Sequence, residues 1–199
     1  SFLNKHRKNI CLFSNYHTLN LDSYTSLIAI LNSVFVPYQA YTDEKKYSFI
    51  NRMNNLVRFL NVNGYETVFL TSYGKQQERF VPDVPDWTDK IYLENIEGNK
   101  EFACITSNKI EYACEDLAVF DSLTDILIHN QKVFVFQEMV YGHTAGWKEK
   151  TGIETVDYYN RYFNKTVIEL EKKNFTDSTL MIIVSDHGPR DNVYAVENY

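Results

Sequence analysis

The sequence predicts a single α/β domain over residues 1–199, built as a three-layer sandwich around a largely parallel sheet. Short apolar runs alternate along the chain with segments whose apolar residues recur at helical spacing. Apolar residues make up 44% of the chain and there are only seven Gly and four Pro, a composition that excludes a disordered protein. The run at residues 180–184 is apolar on both faces, which is typical of a strand covered by helices on both sides.

The predicted elements follow the order strand, helix, helix, strand, irregular segment, helix, strand, helix, strand. Strands are expected at residues 9–13, 66–72, 132–139 and 178–184, with a shorter one at 101–106. Helices are expected from Ser23 onward, from 43 or 44 to 61, and at 115–130 and 154–173. Asp22 or Ser23 is expected to cap the first helix, and Gly64 is expected to end the second.

Charge and hydropathy exclude two classes of partner. The net charge of -6 provides no basic surface for a nucleic acid. No apolar run is long enough to span a bilayer, and the basic residues 1–8 are not followed by the apolar segment of a signal peptide. The first residue is not Met, so we expect a piece of a longer protein.

The three cysteines do not form a disulfide framework or a zinc ligand set. Cys11 lies in the first predicted strand and is expected to be a buried small hydrophobe. A hairpin bridge between Cys104 and Cys114 is expected if the chain is extracytoplasmic, which leaves the compartment open.

Two candidate metal ligands follow the last predicted strand, in the segment Ser185-Asp186-His187-Gly188-Pro189. Gly-Pro turns the chain, so Asp186 and His187 are expected at the carboxyl end of that strand, the edge where open α/β sheets bind ligands. An oxygen and a nitrogen ligand together suit zinc or manganese. The alternative is that Asp186 caps the next element and His187 only hydrogen-bonds a neighbour.

Ser185-Asp186-His187-Gly188 after an apolar strand resembles the metal motif of the alkaline phosphatase superfamily. It is most similar to the sulfatase-like branch, which includes phosphoethanolamine and phosphoglycerol transferases. Segments 23–33, 64–67 and 136–144 fit the same branch in the same order. The resemblance implies an alkaline phosphatase-like core. It also implies an acidic ligand upstream and a further His downstream, which we do not find, so the chain is expected to be truncated at both ends or degenerate.

The resemblance assigns the nucleophile to Ser23, where a helix opens, with Ser26 at the following plus-three position. A hydroxyl there faces free backbone N–H groups that stabilise a transferring phosphate, and a metal ion makes it more nucleophilic. Thr25 and Thr18 are the alternative nucleophiles. The competing interpretation is that Ser23 is only a helix cap.

His143 is the third residue that the resemblance assigns to the site. The segment 136–144 is similar to the strand end that places a His near the substrate phosphate in the transferases. His143 would then donate a hydrogen bond to phosphate oxygens or to the leaving group. The alternative is a loop His that hydrogen-bonds only to backbone.

Together these residues imply metal-dependent phosphoryl or phosphodiester transfer or hydrolysis. Zinc is the expected metal, with manganese or calcium as alternatives. The implied substrate is a phosphate or sulfate ester linked to a lipid or a glycan, and the implied location is extracytoplasmic.

Two other functions are retained as alternatives. One is an inactive sulfatase-like domain that binds a glycan or a protein through exposed aromatic residues near Trp87 and Trp147. The other is a sulfuric ester hydrolase. Formylglycine sulfatase chemistry is disfavoured because Thr25 and Leu27 stand where that signature has Pro and Arg.

Overall fold

A three-stranded parallel sheet forms the centre of the fold, in the strand order β2-β1-β5. The computed structural model describes residues 2–13, 23–32, 55–74, 87–92, 104–107, 110–142 and 152–186. The helices are α1 (Phe2–Lys5), α2 (Ser23–Asn32), α3 (Leu56–Val62), α4 (Phe120–His129) and α5 (Gly152–Lys172). The strands are β1 (Glu66–Thr71), β2 (Asp89–Ile91), β3 (Cys104–Ser107), β4 (Ile110–Cys114) and β5 (Val133–Glu138), and β3 and β4 form a separate antiparallel pair.

Successive side chains of β1 point to opposite faces of the sheet, and each face is covered by helices. Leu70 shares one core cluster with residues of α4, of α5 and of the 3-10 turn before α4, namely Val119, Phe120, Leu123 and Tyr162. Across the sheet, Leu31 of α2 and Val57 of α3 pack against Phe134 and Phe136 of β5. This arrangement confirms the predicted three-layer α/β sandwich with a parallel sheet.

Trp87 belongs to the second of these faces. Its ring lies 5.7 Å from the ring of Phe69 and is stacked at 6.2 Å on that of Phe134, measured between centroids. The expectation that Trp87 is an exposed aromatic is therefore wrong, because the ring is half-buried against the face of the sheet that carries Phe69 and Phe134. Trp147 lies outside the described residues.

The junction between α3 and β1 is set by local capping signals. The side chain of Asn55 accepts a hydrogen bond from the Arg58 N–H at 2.8 Å and caps the start of α3. Gly64 adopts φ +78°, the left-handed conformation that glycine accepts without steric cost, and its N–H donates to the Asn61 carbonyl at 2.9 Å. The predicted role of Gly64 at the helix end is confirmed.

Two predicted strands are wrong. A 3-10 turn covers Arg7–Asn9, residues 10–13 have no regular structure, and Phe13 is 81% exposed. Similarly, a 3-10 turn covers Thr176–Ser178, residues 179–185 have no regular structure, and Leu180 is 84% exposed. An apolar run supplies strand propensity, but a strand also needs a hydrogen-bonded neighbour, which these runs lack in the described part of the chain.

The cysteines differ in their environment. Cys11 is an exposed free thiol, so the expectation of a buried residue is wrong, since the strand that would have buried it does not form. Cys114 is disulfide-bonded, and Cys104 is the residue directly opposite it in the β3–β4 register. Among the described residues, no helix combines the length and the apolar character needed to cross a membrane.

Candidate functional site

The carboxyl ends of β1 and β5 meet at one edge of the sheet. The parallel register pairs Thr71 with Glu138, the last residues of the two strands. The Thr71 hydroxyl donates to Glu138 Oε2 over 3.4 Å. This is the edge at which open α/β sheets bind ligands, which makes it the centre of the candidate site.

Asp186 comes to this edge although its segment is not a strand. It is half-buried, and its negative charge acts on the carboxyl group of Glu138. Burial is the main cause that raises the pKa of Glu138 to about 8, and the charges of Asp186 and Asp116 raise it further, against a lowering by the Thr71 hydroxyl. Two carboxylates from distant parts of the chain therefore act on the carboxyl group of Glu138 at the end of β5.

The acidic pair suits a cation. Asp186 and Glu138 offer hard oxygen donors, and a divalent ion beside them would offset the mutual repulsion of their negative charges. The second predicted ligand, His187, lies outside the described residues. Within the described ranges, no group of three or more His, Cys, Asp or Glu residues forms a complete ligand set.

Asp116 is a fully buried acidic residue that joins the loops behind this edge. Its Oδ1 accepts from the Ser72 hydroxyl at 2.9 Å and from the Val140 N–H at 2.7 Å. Its Oδ2 accepts from the Tyr141 N–H at 3.0 Å. Burial raises the pKa of Asp116 to about 6, because the loss of solvation outweighs the lowering by these donors.

Tyr159 of α5 extends this network by one residue. Its hydroxyl accepts from the Gly142 N–H at 2.6 Å and is hydrogen-bonded to Asp116. Burial raises the pKa of Tyr159 above its ordinary value, which keeps the hydroxyl protonated and able to donate to the carboxylate. The backbone N–H groups of residues 140, 141 and 142 are thus all held by Asp116 or by its partner.

A stack of aromatic rings supports the same turn from the side of α5. The Tyr141 ring stacks on the Tyr158 ring with centroids 3.6 Å apart, and the Tyr158 hydroxyl accepts from the Leu117 N–H at 2.9 Å. A Cβ added at Gly142 would lie 3.0 Å from the Tyr159 hydroxyl, so the turn and α5 are in close contact. His143, the next residue in the sequence, lies outside the described residues.

The predicted nucleophiles fall at the start of α2. Ser23 is the first residue of this helix, as the sequence predicted, and Thr25 is the third. Ser26, at the plus-three position, is buried. Thr18 lies outside the described residues. The roles of Ser23, Thr25, His143, Asp186 and His187 remain predictions, and Asp186 is the one that the structure brings to the end of β5.

Sequence reasoning missed Asp116, Glu138 and Tyr159. Glu138 had a usable signal, because it stands at the carboxyl end of a predicted strand, the criterion that selected Asp186. Asp116 and Tyr159 had none, since their partners lie far away in the sequence.

Solved structures similar to this one include a protein from Listeria monocytogenes and one from Vibrio parahaemolyticus. The lipoteichoic acid synthase LtaP from Listeria monocytogenes matches with a TM-score of 0.68 and 16% sequence identity, over 96% of this chain and 52% of that chain. A protein in the alkaline phosphatase superfamily from Vibrio parahaemolyticus matches with a TM-score of 0.61 and 12% identity, over 83% of this chain and 43% of that chain. This chain therefore spans about half the length of these proteins.

No protein-family model and no curated protein sequence matches the chain. At 16% and 12% identity the two structural matches are evidence of fold. They agree with the parallel sheet and its two helical layers, and they confirm the fold that the sequence motifs implied. The chain has the α/β fold of the alkaline phosphatase superfamily.

Proposed function

We propose that this chain is part of a metal-dependent enzyme that transfers or hydrolyses a phosphate ester or phosphodiester through a serine nucleophile. The observation that carries the proposal is the charge of Asp186, which acts on the Glu138 carboxyl group at the carboxyl edge of an alkaline phosphatase-like sheet. This is where such a sheet binds ligands, and Asp186 belongs to the Asp-His-Gly motif.

Asp186 and His187 are the residues that would hold the metal ion, with the Glu138 carboxyl group beside them. When bound, a divalent ion lowers the pKa of a nearby hydroxyl and stabilises negative charge on phosphate oxygens. Zinc suits an oxygen and nitrogen ligand pair, and manganese or calcium is the alternative if carboxylate oxygens predominate.

The remaining roles belong to Ser23 and His143. Ser23 opens α2, a helix of ten residues whose first backbone N–H groups have no partner within the helix and would stabilise a phosphate group, and its hydroxyl would attack phosphorus. His143 follows the Gly142 amide that Tyr159 holds, and would hydrogen-bond the phosphate oxygens.

The substrate class follows by analogy with one structural neighbour. That neighbour is a lipoteichoic acid synthase, so we propose a lipid-linked phosphate ester as the substrate here. An extracytoplasmic location is supported by the disulfide bond of Cys114, because disulfides persist in oxidising compartments. The competing function, a module that binds ligands through exposed aromatics, loses support because Trp87 is half-buried and packs against Phe69 and Phe134 on one face of the sheet.

The test is Ser23→Ala in the complete protein, assayed with a chromogenic phosphodiester. We expect kcat to fall by at least about 10³-fold, because the attacking hydroxyl is removed. Ser122→Ala on α4 makes the same chemical change in another helix and should keep wild-type activity. Unchanged activity in Ser23→Ala would move the assignment to Thr25 or Thr18.

Removal of the metal ion is a separate test. Dialysis against a chelator should abolish turnover, and the ion that restores it, among zinc, manganese and calcium, identifies the cofactor. Full activity after exhaustive chelation would contradict a metal-dependent mechanism. Activity toward a chromogenic sulfate ester and none toward phosphodiesters would favour the sulfuric ester hydrolase instead.

A further inference from the structure

Asp116 places a carboxylate where packing alone would favour an apolar side chain. It is 0% exposed, and burying a charged group costs several kcal/mol unless good hydrogen bonds compensate. The donors here come from three different parts of the chain, namely Ser72 after β1, Val140 and Tyr141 after β5, and Tyr159 on α5. The carboxylate therefore connects the loop after β1, the loop after β5 and α5 through hydrogen bonds.

We propose that Asp116 is a positioning residue, which fixes the backbone of residues 140–142 and thereby the start of the segment that carries His143. The inference rests on the proposed function, in which His143 holds the substrate phosphate. Asp116 does not touch the substrate in this proposal, and it acts only through the turn.

The geometry of the turn is the first argument for this role. The two carboxylate oxygens accept from two consecutive N–H groups, at 2.7 Å from Val140 and 3.0 Å from Tyr141. Two such bonds to one rigid planar group restrict both the position and the orientation of the peptide between them. The third N–H, of Gly142, donates to the Tyr159 hydroxyl. That hydroxyl in turn donates a hydrogen bond to Asp116.

The location of the turn is the second argument. Residues 140–142 directly follow Glu138 and Met139 at the carboxyl edge of the sheet, and the charges of Asp116 and Asp186 both act on Glu138. Catalysis depends on the placement of groups at the site to within about 1 Å, and a misplacement of that size costs up to about 10²-fold in rate. A buried carboxylate that accepts from two successive amides, and whose partner Tyr159 accepts from the third, is suited to provide such precision.

The first variant is Asp116→Asn in the complete protein. The amide keeps the shape of the side chain, but its NH₂ group cannot accept a hydrogen bond from Tyr141 or Val140. With a chromogenic phosphodiester we expect kcat to fall by about 10- to 100-fold and KM to change by less than about 3-fold. Asp121→Asn, at an exposed position of α4, is the matched control and should keep wild-type kinetics.

The second variant is Tyr159→Phe, which keeps the ring but removes the hydroxyl that binds Gly142. We expect a fall in kcat of about 10-fold, and this variant tests the proposal even if Asp116→Asn does not fold. Leu170→Ala, near the other end of α5, separates positioning from loss of stability. It should lower Tm without lowering kcat below the melting range.

A binding measurement gives a readout independent of turnover. Inorganic phosphate is titrated while the imidazole of His143 is followed by NMR. We expect Asp116→Asn to weaken phosphate binding by about 10-fold and to speed amide exchange at Tyr141 by at least about 10-fold, since this N–H loses its carboxylate acceptor. Leu170→Ala should change neither the affinity for phosphate nor the rate of amide exchange at Tyr141.

The outcomes separate the two proposals. If the wild-type protein turns over phosphodiesters and Asp116→Asn does so equally well, the positioning role is wrong and the proposed function stands. An equal loss of kcat in Leu170→Ala at a matched fall in Tm would also overturn the positioning role. If the wild-type protein neither turns over phosphodiesters nor binds phosphate at His143, the proposed function fails and the positioning role falls with it.

Discussion

The buried carboxyl group of Asp116 should make the free energy of unfolding depend on pH. Burial raises its pKa from 3.8 to about 6, and its hydrogen-bond donors offset only part of that rise. The folded state therefore holds this proton more tightly than the unfolded state. Its contribution to stability is fully present below pH 3.8 and is lost as the pH rises through about 6.

The size of the effect follows from the two pKa values. A rise from 3.8 to about 6 corresponds to about 3 kcal/mol in the low-pH limit, at about 1.4 kcal/mol for each pKa unit. Between pH 4.5 and pH 7.5 the same relation gives a loss of about 2 kcal/mol. Solvent does not screen this contribution, because Asp116 is fully buried.

The assay compares the wild-type side chain with Asp116→Asn by urea denaturation of the complete protein at several pH values. Asn does not titrate, so the difference between the two free energies of unfolding reports the proton of Asp116. Both proteins carry Glu138→Gln, because Glu138 titrates near pH 8 and responds to the charge of Asp116.

When the pH is lowered from 7.5 to 4.5, the free energy of unfolding of the protein with Asp116 should rise by about 2 kcal/mol relative to that of Asp116→Asn. The loss of hydrogen bonds in Asp116→Asn shifts the whole difference by a constant and leaves its pH dependence intact. A difference that stays constant within about 0.5 kcal/mol, or that grows toward high pH, would refute the reasoning.

Three further changes test the fold. Leu70→Ala should lower the free energy of unfolding by about 2–5 kcal/mol in urea denaturation, because Leu70 is fully buried in the central strand, whereas Leu56→Ala at a 39% exposed position should cost less than about 1 kcal/mol. Asn55→Ala should cost about 1 kcal/mol through loss of the cap on α3 and Asn55→Asp should restore it; equal stability of the Ala and Asp variants would contradict the capping role. Gly64→Ala should cost about 1–2 kcal/mol from its φ of +78° alone, since a Cβ there meets nothing within 4 Å, and a Tm equal to that of the wild type would contradict this account.

Elements with strong local signals were predicted from the sequence. β1 and β5 lie within the predicted strands 66–72 and 132–139, and α5 (Gly152–Lys172) lies within two residues of the predicted helix 154–173. Their apolar periodicity and end signals, such as Gly64 at φ +78°, act over a few residues and can be read directly from the chain. The resemblance carried by residues 185–188 added the superfamily fold, which two structural matches confirm.

Apolar runs without a partner were overinterpreted. Residues 9–13 and 178–184 have the composition of buried strands, yet Phe13 and Leu180 are more than 80% exposed. Strand formation depends on a hydrogen-bonded neighbour and on a covering layer, and neither is encoded within the run itself. The charge of Asp186 nevertheless acts on Glu138 at the end of β5, although no strand precedes Asp186.

By itself, the sequence determined the α/β class, most of the central elements and the candidates Ser23, His143, Asp186 and His187. Only the tertiary structure decided that the charge of Asp186 acts on Glu138 and that Asp116 holds the turn before His143. The physical reason is the separation along the chain: Asp116 bonds to groups 24 and 44 residues away. Such contacts depend on how strands and helices pack, and no local periodicity or motif records them.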